Sequence, residues 1–115
     1  MKLFTEETGK YQMYIPFEWE YKSPSFYKEI KAPDSFGEYD KIIGAFQLSC
    51  MQVNKHISSL ISKNNLTVQT SNSDNLHFSE RIVKTKNTTA YVWMCAVDDH
   101  FILVTYILDS KKIIL

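Results

Sequence analysis

The chain has 115 residues, with thirteen basic and thirteen acidic side chains, many aromatic residues and only three each of Gly and Pro. That length fits one domain, which would bury roughly two thirds of the surface its unfolded chain exposes, and the composition excludes long linkers, low-complexity tracts and disorder. Balanced charge removes the global field that draws proteins to nucleic acid or anionic membranes, and the single arginine, Arg81, argues further against nucleic-acid binding.

The N-terminal stretch MKLFTEETGKYQMY lacks the uninterrupted apolar run of a signal peptide, and no window reaches the ~18 apolar residues of a membrane span. A cytoplasmic protein without membrane contact is expected. Residues 1–50 carry six Lys against eight Asp and Glu, and residues 51–115 carry seven Lys and Arg against five, an asymmetry compatible with a polar binding face. Cys50 and Cys95 sit in apolar strand patterns and are expected to be free, buried thiols in a reducing compartment. The sequons at Asn65 and Asn87 are chance matches without a secretory signal.

In chain order, Lys10 to Ile15 alternates Tyr11, Met13 and Ile15 against Lys10, Gln12 and Tyr14, which predicts a strand after the Gly9 break and before Pro16. Phe17, Trp19 and Tyr21 then alternate with Glu18, Glu20 and Lys22, a strand with one aromatic and one charged face. Ser25 to Ala32 reads as a weaker strand, with helix as the alternative, and Pro33-Asp34-Ser35-Phe36-Gly37 as a loop. Lys41 to Val53 is a strong strand pattern with a bulge or strand end near Gly44. Asn54 is an N-cap, and the spacing of Ile57, Leu60 and Ile61 predicts an amphipathic helix from Lys55 to Lys63 that stops at Asn64-Asn65. Leu66 to Thr70 is a strand, Ser71 to Asn75 a polar turn, Leu76 to Thr85 a strand and Lys86-Asn87 a turn.

Thr88 to Leu108 then reads as the central hairpin of the sheet, two strands apolar on both faces around a turn at Asp98, Asp99 and His100. Such strands need cover on both sides, because a one-sided antiparallel sheet shows polar residues at alternate positions. One helix cannot cover both faces. The second layer is therefore expected from a helix formed by Asp109 to Leu115 or from a homodimer partner. Strands, one central amphipathic helix, then strands point to an α+β domain, residues 1–115, with a mainly antiparallel β-sheet.

Tyr14-Ile15-Pro16-Phe17-Glu18-Trp19, then Gly44-Ala45-Phe46-Gln47-Leu48-Ser49, a helix, and the late strand Ala90-Tyr91-Val92-Trp93 together resemble the PsbP-like superfamily. That superfamily includes a photosystem II extrinsic subunit, a Ran-binding nuclear-import factor and many small bacterial proteins of unknown function. The resemblance covers most of the chain and implies a PsbP-like fold, with Pro16 and Trp19 in or near the core. It implies little about function, since members bind different partners and most are not enzymes.

No catalytic signature accompanies these elements. Cys95, Asp98, Asp99 and His100 invite a nucleophilic reading, but a mid-strand cysteine and a turn histidine need not meet, and no oxyanion device is present. His56, His77 and His100 lack zinc-ligand spacing. The pairs Glu6-Glu7 and Glu18, Glu20 read as a solvated face. No catalytic residue, metal or cofactor is expected. The aromatic segment Tyr11, Tyr14, Phe17, Trp19, Tyr21, Phe26, Tyr27 reads either as core and rim or as a partner surface, for which Tyr14, Phe17, Glu18, Trp19, Glu20 and Tyr21 are the candidate contact residues. The expectation is a non-catalytic bacterial protein-binding module, most specifically an immunity-type protein that neutralises a cognate toxin. The alternatives are a small-ligand carrier with a cavity between sheet and helix or a structural protein of the PsbP-like superfamily.

Overall fold

A computed structural model describes residues 1–22, 26–27, 30–31, 33–38, 45–72 and 75–109. Its elements are β1 (Lys2–Thr5), β2 (Gln12–Ile15), β3 (Trp19–Lys22), β4 (Phe26–Tyr27), β5 (Ile30–Lys31), β6 (Asp34–Glu38), β7 (Ala45–Gln52), α1 (Lys55–Lys63), β8 (Val68–Gln69), β9 (Ser79–Lys84), β10 (Thr88–Val97) and β11 (His100–Asp109). The protein is α+β, with an antiparallel-rich sheet and one helix among the described residues. No described helix is long and apolar enough to cross a membrane.

The hairpin read from the sequence is the axis of the sheet. β10 and β11 pair over ten residues each, from Thr88↔Asp109 to Val97↔His100. The turn is tighter than expected: Asp98 and Asp99 suffice, and His100 opens the return strand. Asp98 takes a left-handed φ of 50°, which Asp tolerates better than most residues. From this axis the sheet runs β3-β6-β7-β11-β10, and the far edge of β10 is shared by β9, antiparallel, and β8, parallel.

Alternation then sorts the side chains. Met94, Ala96 and Phe101 point to one face, where Ile57 and Ile61 of α1 bury against them, with Met51, Val53, Leu60 and Leu103 at the margin. The helix matches its expected bounds because its signals are local. Asn54 caps it by accepting the Ile57 N–H at 2.8 Å, and Asn65 ends it at φ 54°. A side-chain cap of this kind contributes about 1 kcal/mol.

The opposite face carries a second core of Ile15, Phe36, Leu48 and Val104, flanked by Phe4, Tyr11, Met13, Trp19, Tyr21, Phe46, Trp93 and Ile102. Its cover is the antiparallel β1–β2 hairpin. The cover expected from Asp109 to Leu115 or from a partner is thus supplied, on this face, by the N-terminus; residues 110–115 lie outside the described residues.

Three expectations need correction. Pro33 to Gly37 is not a loop: from Asp34 onward it forms β6, which pairs with both β3 and β7 and buries Phe36. Pairing on both sides with a buried ring outweighs the turn propensity of Asp, Ser and Gly. Phe17 does not share a strand face with Trp19 and Tyr21, because it lies in a turn closed by Trp19 N–H donating to the Pro16 carbonyl at 3.1 Å. Of the segment read as one strand or a helix, Ser25 to Ala32, the described residues form two short strands, β4 and β5, paired antiparallel. β7 pairs with β11 without interruption from Ala45 to Gln52, and the bulge or strand end expected near Gly44 falls at a position outside the described residues.

Candidate ligand-binding cleft

The N-terminal hairpin is shaped by a buried carboxylate. Glu6 Oε1 accepts the Thr8 N–H at 2.7 Å, the Lys10 N–H at 3.2 Å and the Thr8 hydroxyl, while Gly9 turns the chain at φ 79°. Such a turn orients β1 and β2 so that Phe4, Met13 and Ile15 face the sheet and Leu3 and Tyr14 face outward.

A second buried carboxylate pins this hairpin down. Asp34, 4% exposed on β6, accepts the Tyr11 hydroxyl at 2.6 Å and the Tyr21 hydroxyl at 3.2 Å. The Phe4 ring packs among Tyr11, Tyr21 and Phe36, with centroids 4.7–6.0 Å apart. Burial, the hydrogen bond to Asp34 and its charge all push the Tyr11 phenol upward from its ordinary pKa. Burial and the charge of Asp34 push Tyr21 up to about 12.

These shifts have a signed consequence. Below pH 10 both phenols keep their protons in folded and unfolded chains alike, so the full stabilisation is present. Between pH 10 and 12 the unfolded chain releases the Tyr21 proton while the folded chain holds it, so stability falls across that window. Denaturant midpoints measured from pH 9 to 12 should therefore drop with a slope that Tyr21→Phe makes shallower. An unchanged slope in that variant would mean Tyr21 is not coupled to folding.

Beside the pin the hairpin does not close onto the sheet. A cleft of about 490 Å³ remains, lined by Tyr11, Gln12, Met13, Phe46, Leu48, Leu76, Phe78, Trp93, Ile102 and Val104. None of the ten carries a formal charge, and only Gln12 offers an amide. Trp93 forms part of the wall, its ring stacked on Tyr91 at 6.1 Å and 15°. The volume lies within the range of roughly 300–1,000 Å³ common for small-molecule sites. The cleft is on the hairpin face, opposite the helix.

Two other hollows are more polar. One, about 290 Å³, is lined by Glu6, Lys10, Asp34 and Cys50 among others. Its carboxylates already bind the turn and the phenols, and burial raises the Cys50 thiol, which suppresses the thiolate a nucleophile needs. The other, about 350 Å³, lies past the helix end at Asn64 and Asn65, where β8 and β9 leave a gap along β10. The Gln69 amide fills that gap like a short piece of strand: it donates to the His77 carbonyl and accepts the His77 N–H, each at 2.7 Å.

The six candidate contact residues divide between surfaces. Tyr14 and Phe17 are 68% and 67% exposed on the outer side of the N-terminal hairpin and its exit turn, with Glu18 exposed beside Phe17. Trp19 and Tyr21 turn inward, Trp19 against Phe46 at 5.4 Å and Tyr21 onto Asp34. Glu20 is exposed on the other face of β3. Cys95 is buried with the Gln69 amide 3.4 Å from its sulfur, whereas His100 Nδ1 pairs with Asp99 at 2.9 Å. Both cysteines are free. Among the described residues no group of three His, Cys, Asp or Glu side chains is arranged to hold a metal ion.

Sequence reasoning missed the cleft because its walls come from five separated stretches. Leu76 and Phe78, which line it, were read as the start of a strand that in the structure begins only at Ser79, so their spacing gave no signal of a cleft. No family model and no curated protein matches the chain. A solved structure from Bacteroides thetaiotaomicron VPI-5482 is similar in fold, with a TM-score of 0.58 at 14% identity. The match covers 95% of this chain and 42% of that one, so this chain spans less than half of that protein's length. At that identity the likeness shows the fold alone.

Proposed function

We propose that this chain is a non-catalytic binding module on a PsbP-like scaffold, and that its ligand is a small, neutral, predominantly apolar molecule held in the cleft between the N-terminal hairpin and the sheet. The observation that carries this reading is the uncharged, aromatic-walled cleft of about 490 Å³. A charged ligand there would lose hydration without gaining a counter-charge from the walls. The PsbP-like part rests on Pro16 followed by the inward Trp19, and on β7, α1 and the late β10 in the order the resemblance implies.

Thermal melts with N-phenyl-1-naphthylamine, a neutral aromatic probe, test the binding reading. A saturable rise in Tm is expected, following RT ln(1 + [L]/Kd), and octanoate, which carries a carboxylate, should give a smaller one. Equal shifts with both, or none with either, would reject a neutral apolar site.

One observation favours a protein partner as a second reading. Met1, Leu3, Tyr14 and Phe17 are exposed apolar side chains on the outer hairpin surface, with Glu18 beside them. An immunity-type protein that neutralises a cognate toxin would use such a patch. Co-expression with the product of the adjacent reading frame tests it. A one-to-one complex weakened by Phe17→Asp supports this reading, and two separately eluting proteins reject it.

A further inference from the structure

β9 is an edge strand. Among the described strands it pairs only with β10, its six residues Ser79 to Lys84 are all exposed, and Ile82 is 50% exposed. Its register with β10 is unbroken from Thr89↔Lys84 to Met94↔Ser79, so no bulge blunts it, and it contains no proline.

The hydrogen-bond phase of β9 follows from its turn. Thr85 N–H donates to the Thr88 carbonyl at 2.8 Å, so Thr85 directs its main chain toward β10. In an antiparallel ladder this direction alternates. Val83, Arg81 and Ser79 therefore also direct their groups inward, and Lys84, Ile82 and Glu80 direct theirs to the open edge.

The geometry points to a second copy of this chain as the occupant of that edge, with the two β9 strands antiparallel about a two-fold axis through Ile82 and the two sheets joined into one. A two-fold axis perpendicular to the sheet keeps each residue on its own face, so cross-strand pairs must match in face. Centred on Ile82, the pairs are Ile82 with Ile82 of the partner subunit, Glu80 with Lys84 of the partner subunit, and Lys84 with Glu80 of the partner subunit. All three fall at positions whose main-chain groups are open, giving about six hydrogen bonds. Opposite charges then meet twice on one face, while Arg81 lies opposite Val83 of the partner subunit on the other. Centring on Arg81 would oppose two guanidinium groups, and centring on Val83 would oppose Ile82 to a lysine. Charge complementarity thus selects one register of one self-complementary strand. A ladder this short is at the small end of specific interfaces, so the dimer is concentration-dependent.

Sedimentation velocity on the full chain tests the register by charge swap. Wild type should show a monomer–dimer equilibrium. Glu80→Lys and Lys84→Glu, each turning two attractive pairs into repulsive ones, should each raise the dimer Kd at least about tenfold. The double variant Glu80→Lys/Lys84→Glu should bring it back to within about threefold of wild type. Both sites are exposed, and unchanged thermal melts at low concentration would show that the variants fold. A wild-type chain that stays monomeric at about 1 mM would overturn the proposal. So would a dimer indifferent to the single reversals, or one not restored by the double.

Discussion

Phe101→Ala should lower the unfolding free energy by about 3–5 kcal/mol, the usual cost of removing a fully buried aromatic ring. Phe101 is 2% exposed and holds together the helix-side core of Ile57, Ile61, Met94 and Ala96. A domain of ordinary stability has about 5–15 kcal/mol in all, so this substitution brings the chain close to unfolding at physiological temperature. Urea titration followed by circular dichroism measures the loss. Phe17→Ala supplies the contrast: with that ring two thirds exposed, the change should be within about 0.5 kcal/mol. Comparable losses in the two variants would contradict the burial assigned to them.

Asp34→Ala should cost about 2–4 kcal/mol, because it removes a charged acceptor from two phenols and leaves their hydroxyls in a partly buried site. The loss should also be local. Tyr11 ties the N-terminal hairpin to β6 through this carboxylate, whereas α1 and its core lie on the other face of the sheet. Hydrogen exchange should therefore accelerate at Met13 and Ile15 in β2 well before it does at Ile61 in α1. Uniform acceleration through both elements would show that the pin supports the whole fold rather than the hairpin. Because Tyr11 and Met13 also line the cleft, the same variant should weaken probe binding.

Which parts of this architecture were legible in the sequence depends on how far apart the deciding contacts lie. The helix was readable to the residue, since Asn54, the Ile57–Leu60–Ile61 spacing and Asn64-Asn65 act within a few positions of one another. The central hairpin was readable for the same reason, and its two apolar faces correctly demanded two layers of cover. The source of the second layer was hidden. β1 has four residues, too few for a clear alternation, and its docking depends on Asp34, 23 residues beyond Tyr11. β6 was hidden because Asp34, Ser35 and Gly37 are ordinary turn residues, and only strands on either side make them a strand. Within the aromatic segment, alternation placed Trp19 and Tyr21 together correctly, but the turn after Pro16 took Phe17 out of phase. The cleft had no local pattern to betray it: residues 11–13, 46, 48, 76, 78, 93, 102 and 104 meet only once the hairpin has folded over the sheet.

The protein has two tryptophans, and their placement gives a direct test of the cleft. Trp93 lines it, while Trp19 packs against Phe46 and is not among the lining residues. In a ¹H–¹⁵N spectrum the two indole N–H resonances can be followed separately during titration with N-phenyl-1-naphthylamine. If the cleft is the binding site, the Trp93 indole resonance shifts saturably and the Trp19 resonance moves much less. If the Trp93 resonance stays fixed while the probe binds, or while only residues of α1 or the outer hairpin surface respond, the cleft is not the site.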